Sequence, residues 1–138
     1  MKKGFSLIEL MIVIIILGLL ASLVMPNLIG QSEQAKRKLT CVQMHSLSDA
    51  LKSFKLANSI YPTTSEGLNA LITNPDSAKY TSYPSGGFID GKKVPTDPWK
   101  NAYIYVKTSN TFDIISLGAD KAEGGNDDGV DIKLSSCE

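Results

Sequence analysis

The sequence predicts an α+β protein in which a long N-terminal hydrophobic helix packs on a small three-stranded antiparallel sheet. Three observations lead to this fold class: an apolar run over residues 5–25, an amphipathic pattern that continues it to Asn58, and three short runs of strand-forming residues near the C-terminus. With 138 residues in all, the chain has room for only one small domain after its apolar start.

The apolar run over residues 5–25 is 21 residues long and carries a single charge, Glu9. A helix rises ~1.5 Å per residue, so this length covers roughly the ~30 Å core of a bilayer. Three ordinary interpretations compete: a cleaved secretory signal, a single-span anchor with Lys2 and Lys3 held inside, and the core helix of a soluble protein. The run is long for a signal, the remaining chain is short for a soluble core, and a simple anchor leaves Glu9 without a partner.

A partner for Glu9 arises if a cytoplasmic peptidase cuts between Gly4 and Phe5, because Phe5 then carries a new positive amine. In a staggered assembly of many copies, Glu9 of one copy meets the amine of the next. Burying an unpaired charge is costly, so such a pairing would set the register between subunits.

The stretch GFSLIE, which begins at Gly4 and runs into the apolar segment, resembles the class III signal of type IV pilins and type II secretion pseudopilins. The resemblance implies that residues 1–4 are a leader cleaved after Gly4 by a prepilin peptidase, and that the new terminal Phe5 is N-methylated. It also implies that Glu9 guides assembly. Residues 5–30 would then be the transmembrane helix of the precursor and the core helix of a filament.

Gly18 and Pro26 lie within this helical region, where glycine weakens a helix and proline removes a backbone hydrogen bond. In filaments of the resembled family, the segment between such a glycine and proline is melted. The resemblance therefore predicts unwinding from Gly18 to Pro26 in the filament. A simple kink at Pro26 is the alternative.

Residues 31–58 are predicted to form the amphipathic carboxyl half of the long helix, whose apolar face carries the globular domain of residues 59–138. The apolar positions recur at intervals of three or four residues: Met44, Leu47, Leu51 and Phe54. A free coiled-coil seam is the alternative, but the heptad pattern does not persist.

Further along, Thr63 and Glu66 form a capping box for a short helix, and residues 76–98, rich in Gly, Pro and Ser, form a long loop. Three strands come next, with a hairpin connection between the first two. The predicted strands cover residues 102–107, 112–117 and 130–134.

Three downstream blocks narrow the resemblance: YPTTSEGLNAL, VPTDPWKNAYIY and ISLGADKAEGGNDDGVD are similar to the major pseudopilin of type II secretion systems. This resemblance implies a type IV pilin-like fold and a structural subunit of a homo-oligomeric helical filament, which grows in the periplasm and drives the export of folded proteins. The implied partners are minor pseudopilins, an inner-membrane assembly platform and the prepilin peptidase. Before assembly, the chain would be a single-pass inner-membrane protein with a cytoplasmic N-terminus and a periplasmic globular domain.

The segment over residues 117–129 gathers four acids and four glycines. Crowded carboxylates repel one another, whereas Ca²⁺ takes ~6–8 oxygen ligands and would convert that repulsion into order. The spacing is not that of an EF-hand, and the pattern alone favours a solvated acidic turn. The resemblance, however, implies a Ca²⁺ site. Its implied ligands are the side chains of Asp120, Asp127 and Asp128 and the carbonyl of Leu117, with Glu123 or a carbonyl near Ala122 completing the shell.

The chain has two cysteines, Cys41 at the edge of the apolar helix face and Cys137 next to the C-terminus. If the domain is exported, an oxidising compartment permits a disulfide between them, with two free thiols as the alternative. Closing a loop of about 95 residues would stabilise the fold by up to ~4–5 kcal/mol, less any strain, in the chain-entropy model. Such a pair is not a usual feature of major pseudopilins, which leaves a type IV pilin or a divergent lineage open.

The sequence favours no enzyme. His45 is the only histidine and has no nearby nucleophile, and no phosphate loop, dinucleotide fingerprint or zinc spacing occurs; Trp99 is expected to anchor the core or a loop. Fourteen basic residues balance fourteen acidic ones, so nucleic acid is not an expected partner. Two other functions remain open: a type IV pilus subunit for adhesion or motility, and a monomeric membrane-anchored calcium-binding module.

Overall fold

A computed structural model of the chain describes residues 4–137, apart from the side chains of residues 25–29 and of residue 128. The first three residues of the predicted leader therefore lie outside the described residues. The same holds for the side chains of Pro26 and Asp128, to which the sequence assigned roles in assembly and calcium binding.

One long helix, α1, spans Leu7–Asn58 and accounts for 52 residues. The chain divides into two compact units, and the boundary between them falls within α1, between Ala35 and Lys36. The helix ends where Ser59 adopts a left-handed φ of 68° and its N–H donates to the carbonyl of Lys55 at 2.7 Å. This is the hydrogen bond of an αL cap, which satisfies one of the last free carbonyls of the helix.

The hydrophobic core of the second unit forms on one face of α1, as the spacing of its apolar residues predicts. Met44, Leu51 and Phe54 are fully buried, and Leu47 is 2% exposed. The facing side chains come from the sheet and from the segment that comes after α1. Among them, the ring of Tyr80 meets Phe54 edge-on at 4.8 Å between centroids. Burial of each large side chain of this kind typically contributes ~1.5–3 kcal/mol.

The sheet has three antiparallel strands in the order β1-β2-β3, namely Ile104–Thr108, Thr111–Ser116 and Ile132–Lys133. The α+β fold class, a long hydrophobic helix with a three-stranded antiparallel sheet, is thereby confirmed. The predicted hairpin is present, because Thr108 pairs with Thr111 across a turn that contains Ser109 at a φ of 48°.

The third strand is shorter than the predicted stretch over residues 130–134. Asp131 is diverted from the ladder because its N–H donates to the carbonyl of Gly124 at 3.2 Å, within the preceding loop. At the other end, Leu134 already begins a short 3₁₀ helix, Leu134–Ser136. Strand propensity at both positions is overridden by these local hydrogen bonds.

The predicted capping box is present at the turn after α1. The Thr63 N–H donates to Oε2 of Glu66 at 2.7 Å, and the Glu66 N–H donates to Oγ1 of Thr63 at 3.2 Å. It introduces a turn and a one-turn 3₁₀ helix, Leu68–Leu71, rather than a longer α-helix. Leu68 and Leu71 of this helix are both buried in the core.

The long loop over residues 76–98 is ordered by contacts with this turn. The Phe88 N–H donates to the carbonyl of Leu71 at 2.7 Å, and Gly87 adopts a φ of 73° beside it. A Cβ at Gly87 would lie 2.6 Å from that same carbonyl oxygen, so only glycine fits here.

Glu66 also connects the loop over residues 76–98 to the turn through its negative charge. The folded state is therefore expected to lose stability when acid protonates this carboxylate. The Glu66 carboxylate accepts hydrogen bonds from the hydroxyl of Tyr80 at 2.7 Å and from Nζ of Lys79 at 3.1 Å. Burial alone would raise the pKa of Glu66, but the hydrogen bonds from Tyr80, the Thr63 backbone and Lys79 outweigh it and lower the pKa to about 2. A carboxylate with a lowered folded-state pKa contributes stability above its unfolded pKa of 4.5 and loses it as the pH falls toward 2.

We therefore expect Glu66→Gln to reduce the free energy of unfolding at pH 7 by on the order of 2 kcal/mol. The difference between wild type and variant should shrink progressively below pH 4.5. Chemical denaturation at a series of pH values measures both quantities. Asp90→Asn, which removes an exposed acid of the same loop, is the matched control. A difference that stays constant down to pH 2 would contradict the assignment of the lowered pKa to Glu66.

Candidate functional site

The first unit presents an exposed apolar helical surface. Within α1, the stretch Leu7–Val24 has a mean hydropathy of 2.9, and none of it is buried. By length and composition it is able to cross a membrane. An exposed apolar surface of this size marks a membrane or a protein contact, because soluble monomers rarely expose contiguous patches beyond a few hundred Å².

Glu9 lies in the first turn of α1, at the start of this surface. Its N–H and that of Leu10 both donate to the carbonyl of Ser6, at 3.1 and 3.2 Å, so Ser6 opens the helix. Phe5 precedes it and is 73% exposed. The two residues assigned to processing and assembly, Phe5 and Glu9, are thus both accessible at the N-terminal end of the described chain.

Gly18 has open space around it, because a Cβ there would meet no described atom within 4 Å apart from the neighbouring backbone of its own helix. Helix α1 runs without interruption across Gly18 and Pro26 in the single chain. The predicted unwinding concerns the assembled filament, so both it and the alternative kink stay predictions.

The second unit carries the acidic loop over residues 117–131, which connects β2 with β3. Its backbone is strongly curved, with positive φ angles at five positions: Gly118, Lys121, Gly124, Gly125 and Asp127. The carboxylate of Asp120 lies at the centre of the curve. Its Oδ1 accepts a hydrogen bond from the Ala122 N–H at 3.0 Å, and its Oδ2 lies against two glycines.

Those two glycines form a cradle that any side chain would fill. A Cβ at Gly125 would lie 2.5 Å from Oδ2 of Asp120, and a Cβ at Gly129 would lie 2.6 Å from it. The absence of side chains at both positions is what allows the backbone to close around this carboxylate.

Asp131 closes the loop on the other side and was not among the residues that the sequence pointed to. Its Oδ2 accepts from the Gly124 N–H at 3.0 Å, while its own N–H donates to the Gly124 carbonyl at 3.2 Å. Its Oδ1 is buried and has no hydrogen-bond partner among the described residues. A buried carboxylate oxygen without a donor is costly unless a further group, such as a cation, compensates it.

Asp97 holds the start of the loop and was also missed. It is 2% exposed, and its Oδ2 accepts from Oγ of Ser116 at 2.6 Å and from Nδ2 of Asn101 at 3.1 Å. The same Asn101 amide donates to the carbonyl of Gly118 at 2.8 Å, next to the carbonyl of Leu117. The pattern Asp-Pro-x-x-Asn, a turn signal, was the available clue to this network.

The donor set suits a hard cation, although the described side chains do not form a complete cage. Within the described residues, no cluster of three His, Cys, Asp or Glu side chains is arranged to hold a metal. The Asp120 carboxylate in its glycine cradle and the unpaired oxygen of Asp131 are nevertheless oxygen donors of the kind that Ca²⁺ prefers. The residues present therefore fit a Ca²⁺ ion better than a softer metal.

Cys41 and Cys137 form a disulfide between α1 and the C-terminal segment. The sulfur atoms are 1.98 Å apart, and the Cα atoms are 5.5 Å apart, at a sequence separation of 96. Cys137 is 8% exposed, and its sulfur lies 4.0 Å from Sδ of the buried Met44. The bridge thus reaches the edge of the hydrophobic core, where the C-terminal segment packs on α1.

The sequence analysis also singled out His45 and Trp99. His45 is exposed on α1. Trp99 is partly buried against the core, with Nζ of Lys36 5.9 Å from the centre of its ring. Trp99 therefore anchors the loop that contains Asp97, as expected.

An exposed N-terminal apolar helix that continues into a small α+β domain is the architecture of a pilin-like protein, and its apolar helix is consistent with anchoring in a membrane. Comparison with known proteins supports this class. Residues 1–25 match the model of the prokaryotic N-terminal methylation motif, and residues 27–135 match the model of type II secretion system protein G. The chain belongs to the type II secretion system protein G family, the major pseudopilins.

Relatives and a solved structure agree with this assignment. The chain is 46% identical to the type II secretion system core protein G of Vibrio cholerae, over 95% of this chain and 90% of the relative. It is 44% identical to the corresponding protein of Klebsiella pneumoniae, over 92% and 91%. It also resembles the crystal structure of the major pseudopilin from enterohaemorrhagic Escherichia coli, with a TM-score of 0.64 and 31% identity over 78% of this chain and 93% of that one.

Proposed function

We propose that the chain is held in the inner membrane by α1, is processed between Gly4 and Phe5, and then assembles into a periplasmic helical filament of a type II secretion system. The uncovered apolar stretch Leu7–Val24 is the observation that carries this proposal. In the membrane it is covered by lipid, and in the filament it is covered by the same stretch of neighbouring copies. Both places keep this apolar surface away from water, and in the filament close packing between the helices holds neighbouring copies together.

Glu9 gives the assembly its register. After processing, the amine of Phe5 is positively charged, and Glu9 of a neighbouring copy lies at the same depth in a staggered arrangement. A carboxylate and an amine buried together are tolerated, whereas either one buried alone is costly. Apolar packing alone would allow many staggers, and the ion pair selects one of them.

Prepilin peptidase, an inner-membrane assembly platform and minor pseudopilins are the proposed partners, with the N-terminus on the cytoplasmic side and the globular unit in the periplasm. The match of residues 1–25 to the methylation motif supports the processing step. The role is structural rather than catalytic, and growth of the filament would push folded proteins outward.

Deletion of the gene, followed by quantitative mass spectrometry of the culture medium, tests this function. We expect a set of folded proteins to disappear from the medium and to return when the wild-type chain is supplied. At ordinary expression we expect no fibres outside the cell by electron microscopy. An unchanged set of secreted proteins, together with the loss of surface fibres, would instead support a type IV pilus subunit.

We further propose that the acidic loop over residues 117–131 binds Ca²⁺. Asp120 and Asp127 would supply carboxylates, Leu117 would supply its carbonyl, and Asp128 belongs to the same proposed set. The glycine cradle and the unpaired Oδ1 of Asp131 support the proposal. The ion would neutralise the crowded carboxylates and hold β2, the loop and β3 together.

A further inference from the structure

The two ends of the acidic loop are held by very different contacts. The Leu117 end is fixed by the buried carboxylate of Asp97 and by the Asn101 amide. At the other end, β3 pairs with β2 through only two residues, Ile132 and Lys133. Ile132 is buried in the core, but a two-residue ladder is a weak attachment, so the second end also depends on the contacts of the segment C-terminal to β3.

Within the described residues, the segment C-terminal to β3 is held by packing of the partly buried Leu134 against the core and by two further attachments. Ser135 bonds to the carboxylate of Asp113, with its N–H at 3.3 Å and its hydroxyl at 3.0 Å, but both groups are accessible to water. Exposed hydrogen bonds of this kind contribute little, because water replaces them readily. The Cys41–Cys137 disulfide is the other attachment, and it joins this segment covalently to α1.

Helix α1 also reaches the loop directly, one turn before the bridge. Nη1 of Arg37 donates to the carbonyl of Val130 at 3.4 Å. Arg37 and Cys41 are four residues apart and therefore lie on the same face of α1. The bridge and the arginine thus hold the last part of the loop against a single surface.

We propose that the Cys41–Cys137 disulfide positions the acidic loop for calcium, so that the bridged chain binds Ca²⁺ more tightly than the dithiol chain. The inference rests on the proposed calcium site. With the bridge closed, Asp131 and the Asp120 carboxylate both belong to a loop whose two ends are fixed. Without it, only non-covalent contacts hold the Cys137 end against α1, so that end separates more readily and calcium must order it as it binds.

The redox step is a thiol–disulfide exchange. The two thiols of Cys41 and Cys137 reduce a disulfide-containing oxidant, which leaves as two thiols while a sulfur–sulfur bond forms in the chain. Two electrons and two protons pass from the chain to the oxidant, and the reverse reaction consumes a dithiol reductant.

Binding linkage is reciprocal, which makes the proposal testable in two independent ways. The full chain in detergent micelles is first titrated with Ca²⁺ by calorimetry in its bridged form and as the Cys41→Ser, Cys137→Ser double variant. We expect the dissociation constant to be about tenfold higher for the double variant, which is within the range typical of coupled sites.

The second measurement needs no variant that alters folding. The wild-type chain is equilibrated in buffers of reduced and oxidised dithiothreitol, with calcium and with magnesium in its place. At a calcium concentration that saturates both forms, calcium should shift the thiol–disulfide equilibrium toward the bridge by the same factor as in the calorimetric titration. In Asp120→Asn, the matched control, calcium should cause no shift.

Equal calcium affinities with an unmoved redox equilibrium would overturn the coupling and leave the calcium site standing. Absence of calcium binding in the bridged chain would overturn the calcium site and this inference with it. If the double variant fails to fold, the redox titration of the wild-type chain still decides between these results.

Discussion

Replacing Glu9 with alanine is expected to remove nearly all of the chain from filaments while leaving it in the membrane. In the proposed filament, the substitution would leave the Phe5 amine of each neighbour buried without a counter-charge. Breaking one partner of a buried pair costs ~3–5 kcal/mol, which corresponds to a decrease of more than about a hundredfold in the equilibrium constant for adding a subunit. The fraction of the chain recovered in sheared or chemically cross-linked filaments measures the effect.

Three further variants test whether the loss of the Glu9 charge causes this result. Glu9→Gln keeps the size of the side chain and should behave like Glu9→Ala, whereas Glu9→Asp should assemble partially. Asp49→Asn removes an exposed acid from the other end of α1 and should assemble normally. If Glu9→Ala incorporates as well as the wild type, the ion pair has no role, and a monomeric membrane-anchored module becomes the better description.

Removing calcium is expected to lower the melting temperature of the globular unit by about 10 °C or more. An ion at about one hundred times its dissociation constant stabilises the folded state by ~2.7 kcal/mol. For a unit of this size, each kcal/mol shifts the melting temperature by roughly 4–8 °C. Differential scanning calorimetry of the bridged chain with calcium and with a chelator measures the shift.

Asp120→Asn should melt at the temperature of the chelated wild type and should no longer respond to calcium. Its carboxylate is the one that lies in the glycine cradle of Gly125 and Gly129. Asp90→Asn, which removes an exposed acid outside the acidic loop over residues 117–131, should keep the full response to calcium. A wild-type chain that melts at the same temperature with calcium and with chelator would eliminate the metal site.

Much of the fold could be predicted from the sequence because its signals are local. The apolar face of α1, the Thr63–Glu66 capping box and the β1–β2 hairpin all depend on residues a few positions apart. The structure also joins Cys41 to Cys137, the bridge that the sequence analysis considered with two free thiols as its alternative.

The acidic loop was predicted less completely, because its organisation depends on residues distant in the sequence. Asp97 reaches Ser116 across 19 positions, and Asn101 reaches Gly118 across 17. No pattern at helix or strand spacing connects such pairs. Asp131 was predicted to lie in a strand, since its neighbours favour one, yet its carboxylate and N–H both contact Gly124. Tertiary hydrogen bonds decided these positions.

The proposed assembly depends above all on the pairing of Glu9 with the positive chain end of a neighbouring copy, and that end exists only after cleavage at Gly4. The mass of the N-terminal peptide, measured on protein isolated from assembled filaments, tests this dependence most directly. We expect a peptide that starts at a methylated Phe5. Filaments of ordinary length built from chains that still carry residues 1–4 would contradict it.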